Sequence, residues 1–273
     1  VIRRFALFSA VGITGCLLTT DLSGLSGGTE GDSGVANDAA PDAATDSPDV
    51  PDSGSDASSC TCTGLVSAYR FSDPNSLGHD FFGKNDMTSV KGAPRQSSTT
   101  PPGLGGHSIK LDGSSTVCGS GFTFDPTSDH TLCWWSQPAA LANNTNQFAQ
   151  TCTYDTWTAS AGVDYLWRIN NCNSGTPADL QVRNVYTVGN WVQICQTYKK
   201  ASLTRSVVID GKIDQKTSIT DTVPIAKSTS GWCIGAYEGG GYWTGLVYLP
   251  MWFDRVIDDS LIQQISTSTC CLP

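Results

Sequence analysis

Glutamate is nearly missing from this chain, and with it goes the simplest route to glycoside hydrolysis. Only Glu30 and Glu238 occur in 273 residues. Glu30 lies in a polar tract and Glu238 stands alone in Tyr237-Glu238-Gly239-Gly240-Gly241, so two glutamates cannot be paired as acid and nucleophile. Asp155, Asp164 and Asp179 stay open as substitutes, but they form no clear pair. Histidine is scarce too: His79, His107 and His130 include no H-E-x-x-H metal helix. The one G-x-S-x-G match, around Ser26, sits among Gly and Ser with no strand before it to raise a nucleophile. Together these absences argue against an enzyme.

Basic residues are missing where they would matter. Residues 17–59 hold nine carboxylates, from Asp21 to Asp56, and no Lys or Arg, so this tract alone carries the formal charge of −9. The rest of the chain is balanced, without the clustered basic face that nucleic acids require. The tract is mostly Gly, Ser, Ala, Pro, Thr and Asp. It cannot bury enough apolar surface to offset ordering, and like-charge repulsion favours an extended tether. Its aspartates lack the order of an EF-hand loop.

Long hydrophobic runs are absent. The apolar stretch 5–13, preceded by Arg3 and Arg4, is too short to cross a bilayer and has the layout of a secretory signal. Cysteine, by contrast, is abundant. Eleven are too many for a reduced cytosolic protein, and ten remain once Cys16 is set aside: Cys60, Cys62, Cys118, Cys133, Cys152, Cys172, Cys195, Cys233, Cys270 and Cys271. An even number fits disulfides formed after export. The spacing of Cys60 and Cys62 and of adjacent Cys270 and Cys271 lacks the pattern of common zinc sites.

Ile13-Thr14-Gly15-Cys16 resembles the bacterial lipobox, although Leu is commoner at the first position and Ser or Ala at the second. The resemblance implies a signal peptide over 1–15, lipidation of Cys16, a lipidated disordered linker over 16–59 and a folded domain over 60–273. Leu17 after the cysteine points to the outer membrane or cell surface, with the lipid as the only membrane attachment.

From Leu65 onward, short β-branched and aromatic runs are separated by Gly, Pro, Asn and Asp, the pattern of an all-β sandwich or barrel. Strands are expected at 65–71, 107–111, 131–137, 147–154, 164–169, 180–185, 191–198, 205–209, 231–236 and 243–253. A short helix is expected at 258–265, capped by Asp258 or Asp259 with Leu261, Ile262 and Ile265 on one side. Asp210-Gly211 reads as a tight turn.

Several of these segments resemble the laminin-G-like, or concanavalin A-like, jelly rolls. Leu65-Val66-Ser67-Ala68-Tyr69-Arg70-Phe71 is similar to the family's opening strand, and Leu111-Asp112-Gly113-Ser114 to its FDGS segment. Residues 131–138, 191–198 and 207–211 follow in the family's order, and Thr244-Gly245-Leu246-Val247 leads to Phe253-Asp254-Arg255-Val256-Ile257 as NGLI leads to YNRAL. The resemblance implies a two-sheet jelly-roll sandwich with a short C-terminal helix. It also implies carbohydrate binding, with Trp134, Tyr154, Trp157, Tyr242 and Trp243 as candidate aromatic contacts. Trp134 and Trp135 alternate on one strand, so only one is expected in the core. A protein-interaction or structural envelope module is the alternative.

The chain departs from the family at Tyr248, where many relatives place an acidic residue near a structural calcium, and at the loop Asp80 to Asp86, shortened and carrying Phe81 and Phe82. Carboxylate loss puts calcium in doubt, and no other cofactor is implied. Cys60 and Cys62 can pair with Cys270 and Cys271, and Cys152 with Cys172, although sequence does not choose among the pairings.

Overall fold

The computed structural model describes residues 61–120, 122–123, 125–150, 154–169, 178–226, 231–236 and 240–272, with Tyr154, Asp155 and Trp157 described by backbone alone. The signal, Cys16, the acidic tract, Cys60, Cys152 and Cys172 therefore lie outside the described residues.

Fifteen strands are named among the described residues: β1 Leu65–Ala68, β2 Ser89–Lys91, β3 Arg95–Ser97, β4 Ser108–Asp112, β5 Thr116–Gly119, β6 His130–Pro138, β7 Asn146–Gln150, β8 Tyr154–Ala159, β9 Asp164–Arg168, β10 Leu180–Val182, β11 Val192–Lys199, β12 Thr204–Ile209, β13 Thr217–Thr220, β14 Trp232–Ile234 and β15 Thr244–Phe253. One sheet runs β13-β12-β11-β6-β15-β4-β3, with β1 added against β15; the other runs β10-β9-β8-β7-β14-β5-β2. The two pack face to face as a jelly roll. The expected strands recur within a few residues, but 147–154 divides into β7 and the start of β8, and the opening strand stops at Ala68. Strands β2, β3 and β13 had no apolar alternation to reveal them: β2 is exposed along its whole length.

Between the sheets, Trp134, Trp167, Trp232, Trp243, Trp252 and Tyr165 pack with Ile109 and Ile194. Arg205 is fully buried there. It donates to both oxygens of Asp221 (2.8 and 2.7 Å), to the Trp167 carbonyl and to the Ala178 carbonyl, so one guanidinium ties β12 to β9 in the opposite sheet. Each of its three nitrogens finds an acceptor, and a carboxylate pairs its charge, the condition under which a buried ion is tolerated.

The eight-stranded sheet has a second buried face. Helix α1, Asp259–Thr267, lays Leu261, Ile262 and Ile265 against Cys133, Trp135, Tyr248, Met251 and Phe253. Its N-cap is Asp258, whose carboxylate accepts the Leu261 N–H at 2.7 Å. Both Trp134 and Trp135 are consequently interior, at 0% and 3% exposure, against the expectation that only one would be. Alternation assigns a face, and a helix on that face buries it too. Asp210 (φ 51°) and Gly211 (φ 65°) form the expected turn, closed by the Lys212 N–H on the Ile209 carbonyl.

Three disulfides are described. Cys62–Cys271 joins the two ends of the domain, one of the pairings held open from the sequence, and Cys270 is also disulfide-bonded. Cys118–Cys233 and Cys133–Cys195 link directly opposed residues on neighbouring strands, with Cα atoms 4.1 Å apart in each. That spacing is close to a non-hydrogen-bonded antiparallel pair, and only strand register could reveal it.

Candidate functional site

The sequence offered five aromatic residues for ligand contact, and the fold separates them. Trp134 and Trp243 are corrected to core residues, at 0% and 1% exposure. Trp134 donates its indole N–H to Gln147 and packs against Phe148 at 4.8 Å, while Trp243 packs against Tyr186 at 5.6 Å. Neither ring has a face free for a ligand. Tyr154 and Trp157 are placed on β8 by their backbone.

Tyr242 is different. It is half-buried, and its hydroxyl lies 2.6 Å from the Lys91 ammonium. Backbone pairing places it at the start of a row across the seven-stranded sheet: Tyr242 bridges to Asn146, Asn146 pairs with Trp157, Trp157 with Leu166, and Leu166 with Gln181. Gly241 makes the first step possible, because at φ +66° a Cβ would lie 2.7 Å from the Asn144 carbonyl oxygen. Asn146 is buried, and among the described residues neither atom of its amide has a protein partner. Asn146, Gln181 and Lys91 were not singled out from the sequence, since they join this row only through register.

A second concave region lies on the outer face of the eight-stranded sheet. Strand β15 breaks register between Tyr248 and Met251, where Leu249 has φ 46° and Pro250 has no N–H to give. Beyond the break, β15 is bordered by β1 in place of β4. Into that gap open Arg70, Gly105, Gly106, His107, Tyr248, Leu249, Thr269 and Leu272, around a cleft of about 290 Å³. The Tyr248 ring is 3% exposed, and its hydroxyl donates to the Gly105 carbonyl at 2.7 Å. Burial raises its pKa, partly offset by the positive Arg70.

The model of the concanavalin A-like lectin/glucanases superfamily matches residues 111–263, more than half of the chain. The chain belongs to this superfamily. No curated protein sequence matches it. Among solved structures, domain 4 of AbnA, a GH43 extracellular arabinanase from Geobacillus stearothermophilus, in complex with arabinotriose, is similar at 14% identity and a TM-score of 0.59 over 74% of this chain and 98% of that one. The binding domain of botulinum neurotoxin DC, in complex with rat synaptotagmin II, is similar at 12% identity and a TM-score of 0.57 over 74% of this chain and 51% of that one. The same toxin domain in complex with SialylT gives 14% and 0.56, over 74% and 50%. This chain thus spans about half the length of the toxin domains, and at such identities the likeness shows the fold.

Within the superfamily, calcium was the metal to test. The residues do not fit it near Tyr248: no carboxylate lines the cleft, and Arg70 does. In the adjoining loop, buried Asp80 already accepts from the Ser67 hydroxyl and from the N–H groups of Ala68, Lys84 and Asn85, at 2.8–3.2 Å. Protein donors thus occupy the lone pairs a cation would need. Among the described residues, the one group of three close metal-ligand types is Cys62, Cys270 and Cys271, and disulfide bonding takes all three.

Of the aspartates left open as catalytic substitutes, Asp155 is described by its backbone alone, and Asp164 and Asp179 are engaged. Asp164 accepts from Gln181 and from the Asn184 N–H, and hydrogen bonding, first from Ser160, lowers its pKa. Asp179 receives both Nε and Nη2 of Arg168, at 3.1 and 2.8 Å.

Proposed function

We propose that the chain is an exported, lipid-anchored surface protein whose jelly roll binds carbohydrate without cleaving it. The row from Tyr242 to Gln181 carries this reading. Its register brings two aromatic and two amide positions into one row with Leu166, a half-buried tyrosine opens it, and Asn146 brings unused hydrogen-bonding capacity beneath it. Aromatic faces accept sugar C–H surfaces, and amides read hydroxyls. Against hydrolysis, a glycosidase acid needs a raised pKa, whereas Asp112, Asp164 and Asp258 are all shifted down by hydrogen bonds. The anchor reading rests on residues 5–16 and on the disulfides, which suit an oxidising compartment.

A glycan array probed with the full oxidised chain tests the proposal, with calcium and then with chelator. Expected are hits that survive the chelator and weaken about tenfold in Tyr242→Ala, the scale of one lost aromatic contact. In a bacterial host, Cys16→Ala should move the chain out of the membrane fraction. A blank array from protein with intact near-ultraviolet dichroism would sink the glycan reading and favour a protein-interaction module.

A further inference from the structure

We infer that the outer face of the eight-stranded sheet holds a second site, a surface for glycans that carry carboxylates, centred on Arg70 and extending to Lys110. The inference rests on the glycan-binding reading but not on the Tyr242 row, which lies across the other sheet.

Two clefts share this face. Tyr248 walls the Arg70 cleft, and Leu246, two residues earlier on β15 and so on the same side, walls a cleft of about 190 Å³ with Lys110, Gln137, Ser97 and Thr99. The segment from Thr99 to Gly106 supplies residues to both, and the bonds of Tyr248 to Gly105 and of Thr100 to the Leu104 carbonyl hold it in place.

Among the described residues, no ion pair takes up the positive charge of Arg70, Lys110 and Arg95 on this face. Arg70 is exposed and, among the described residues, makes no ion pair; its close partner is the ring of Phe81, 5.3 Å from the guanidinium carbon. Half-buried His107 shares its cleft. Lys110 lies directly opposite Arg95 across β4 and β3, both exposed and neither in an ion pair among the described residues. Like charges in that position destabilise a sheet. The nearby carboxylate, Asp112, is occupied by Ser114 and Ser115 at 2.6–2.9 Å. Asp73, which lines a cleft on the far side of Arg70, accepts the Asn75 N–H.

The chemistry selects the ligand class. A guanidinium presents paired N–H donors that match the two oxygens of a carboxylate. Leu249 and Leu272 give apolar wall for a ring's C–H face, and a volume near 290 Å³ stands at the small end of ligand pockets, room for one sugar unit. The hydroxyl and amide groups beside Lys110 suit a second acidic unit in the neighbouring cleft.

Calorimetric titration of the full oxidised chain with a galacturonate trisaccharide, and separately with the neutral galactose trisaccharide, tests this. Binding of the acidic sugar should fall about tenfold or more in Arg70→Gln, the effect of one charge-assisted hydrogen bond. Arg70→Lys should lose less, Lys110→Gln about threefold, and added salt should weaken binding. Equal binding by wild type and Arg70→Gln overturns the second site, as does an acidic sugar that fails where neutral glycans bind. An Arg70-dependent response to phosphatidylglycerol vesicles alone would assign the face to lipid and overturn it as well. Silence to every glycan in a folded chain overturns the glycan-binding reading itself.

Discussion

The two outer faces of the sandwich carry the same device under different cover. Each sheet has a disulfide between directly opposed strands, but Cys133–Cys195 is fully buried beneath α1, whereas Cys118 and Cys233 are half-exposed on the seven-stranded sheet. One helix accounts for the difference. Where Leu261, Ile262 and Ile265 cover the sheet, β6 and β15 become apolar on both sides. On the other sheet, polar Gln181 alternates with inward Leu180 and Val182, leaving a surface that can meet a ligand. Burial on both faces builds stability under the helix, and the parts of either outer face that no element covers keep a surface for binding.

The largest effect that can break this comparison is loss of a disulfide. Removing either cross-strand bridge by paired Cys→Ala substitution should cost about 4–5 kcal/mol, by the chain entropy of 62- and 115-residue loops. Reactivity should rank differently: in folded protein treated with mild reductant, alkylation mapping should find Cys118 and Cys233 modified while Cys133 and Cys195 stay protected. Simultaneous modification would mean that α1 does not shield its bridge.

Next in size, Trp135→Ala should cost about 3–5 kcal/mol, because it empties a cavity between β6 and the helix side. Gln181→Ala on the open face should cost less than about 1 kcal/mol. Denaturant melts of the two variants measure the contrast, and similar losses would erase it.

The smallest of the three effects concerns the interior that both sheets share. His130 stacks on Trp252 at 4.9 Å, and burial lowers its pKa from 6.5 to about 4, with the Ser128 carbonyl, Asp129 and Asp125 opposing. The unfolded chain takes up this proton near pH 6.5 and the folded chain does so only near pH 4. The folded state therefore holds its full advantage above pH 6.5 and loses about 3 kcal/mol as pH falls across that window. His130→Gln should flatten stability between those limits, and an unchanged slope would exclude His130 as the source.

Legibility from sequence followed the range of the forces involved. Central strands such as β6, β11 and β15 were visible as runs of apolar and β-branched residues, and α1 was visible by its cap and three apolar positions. Edge strands such as β2 were not, because partners across the sheet stabilise them and their own side chains do not. At the site, Tyr242 was legible as an aromatic beside glycines. Trp243, its neighbour, carried the same local signal and proved to be core, since the facing sheet decides which of two adjacent rings points inward. Arg70 was visible only as part of an opening strand. That no described carboxylate forms an ion pair with it is a property of what lies near it in space.

By itself, the sequence determined an all-β sandwich, a short C-terminal helix, a segregated acidic tract and the absence of paired glutamates, because composition and alternation act locally along the chain. Only the tertiary structure decided which cysteines meet, that Trp134 and Trp135 are both interior, and that Arg70, His107 and Tyr248 surround one cleft. Those outcomes depend on strand register and on what covers each face, and both are set by residues far apart in sequence.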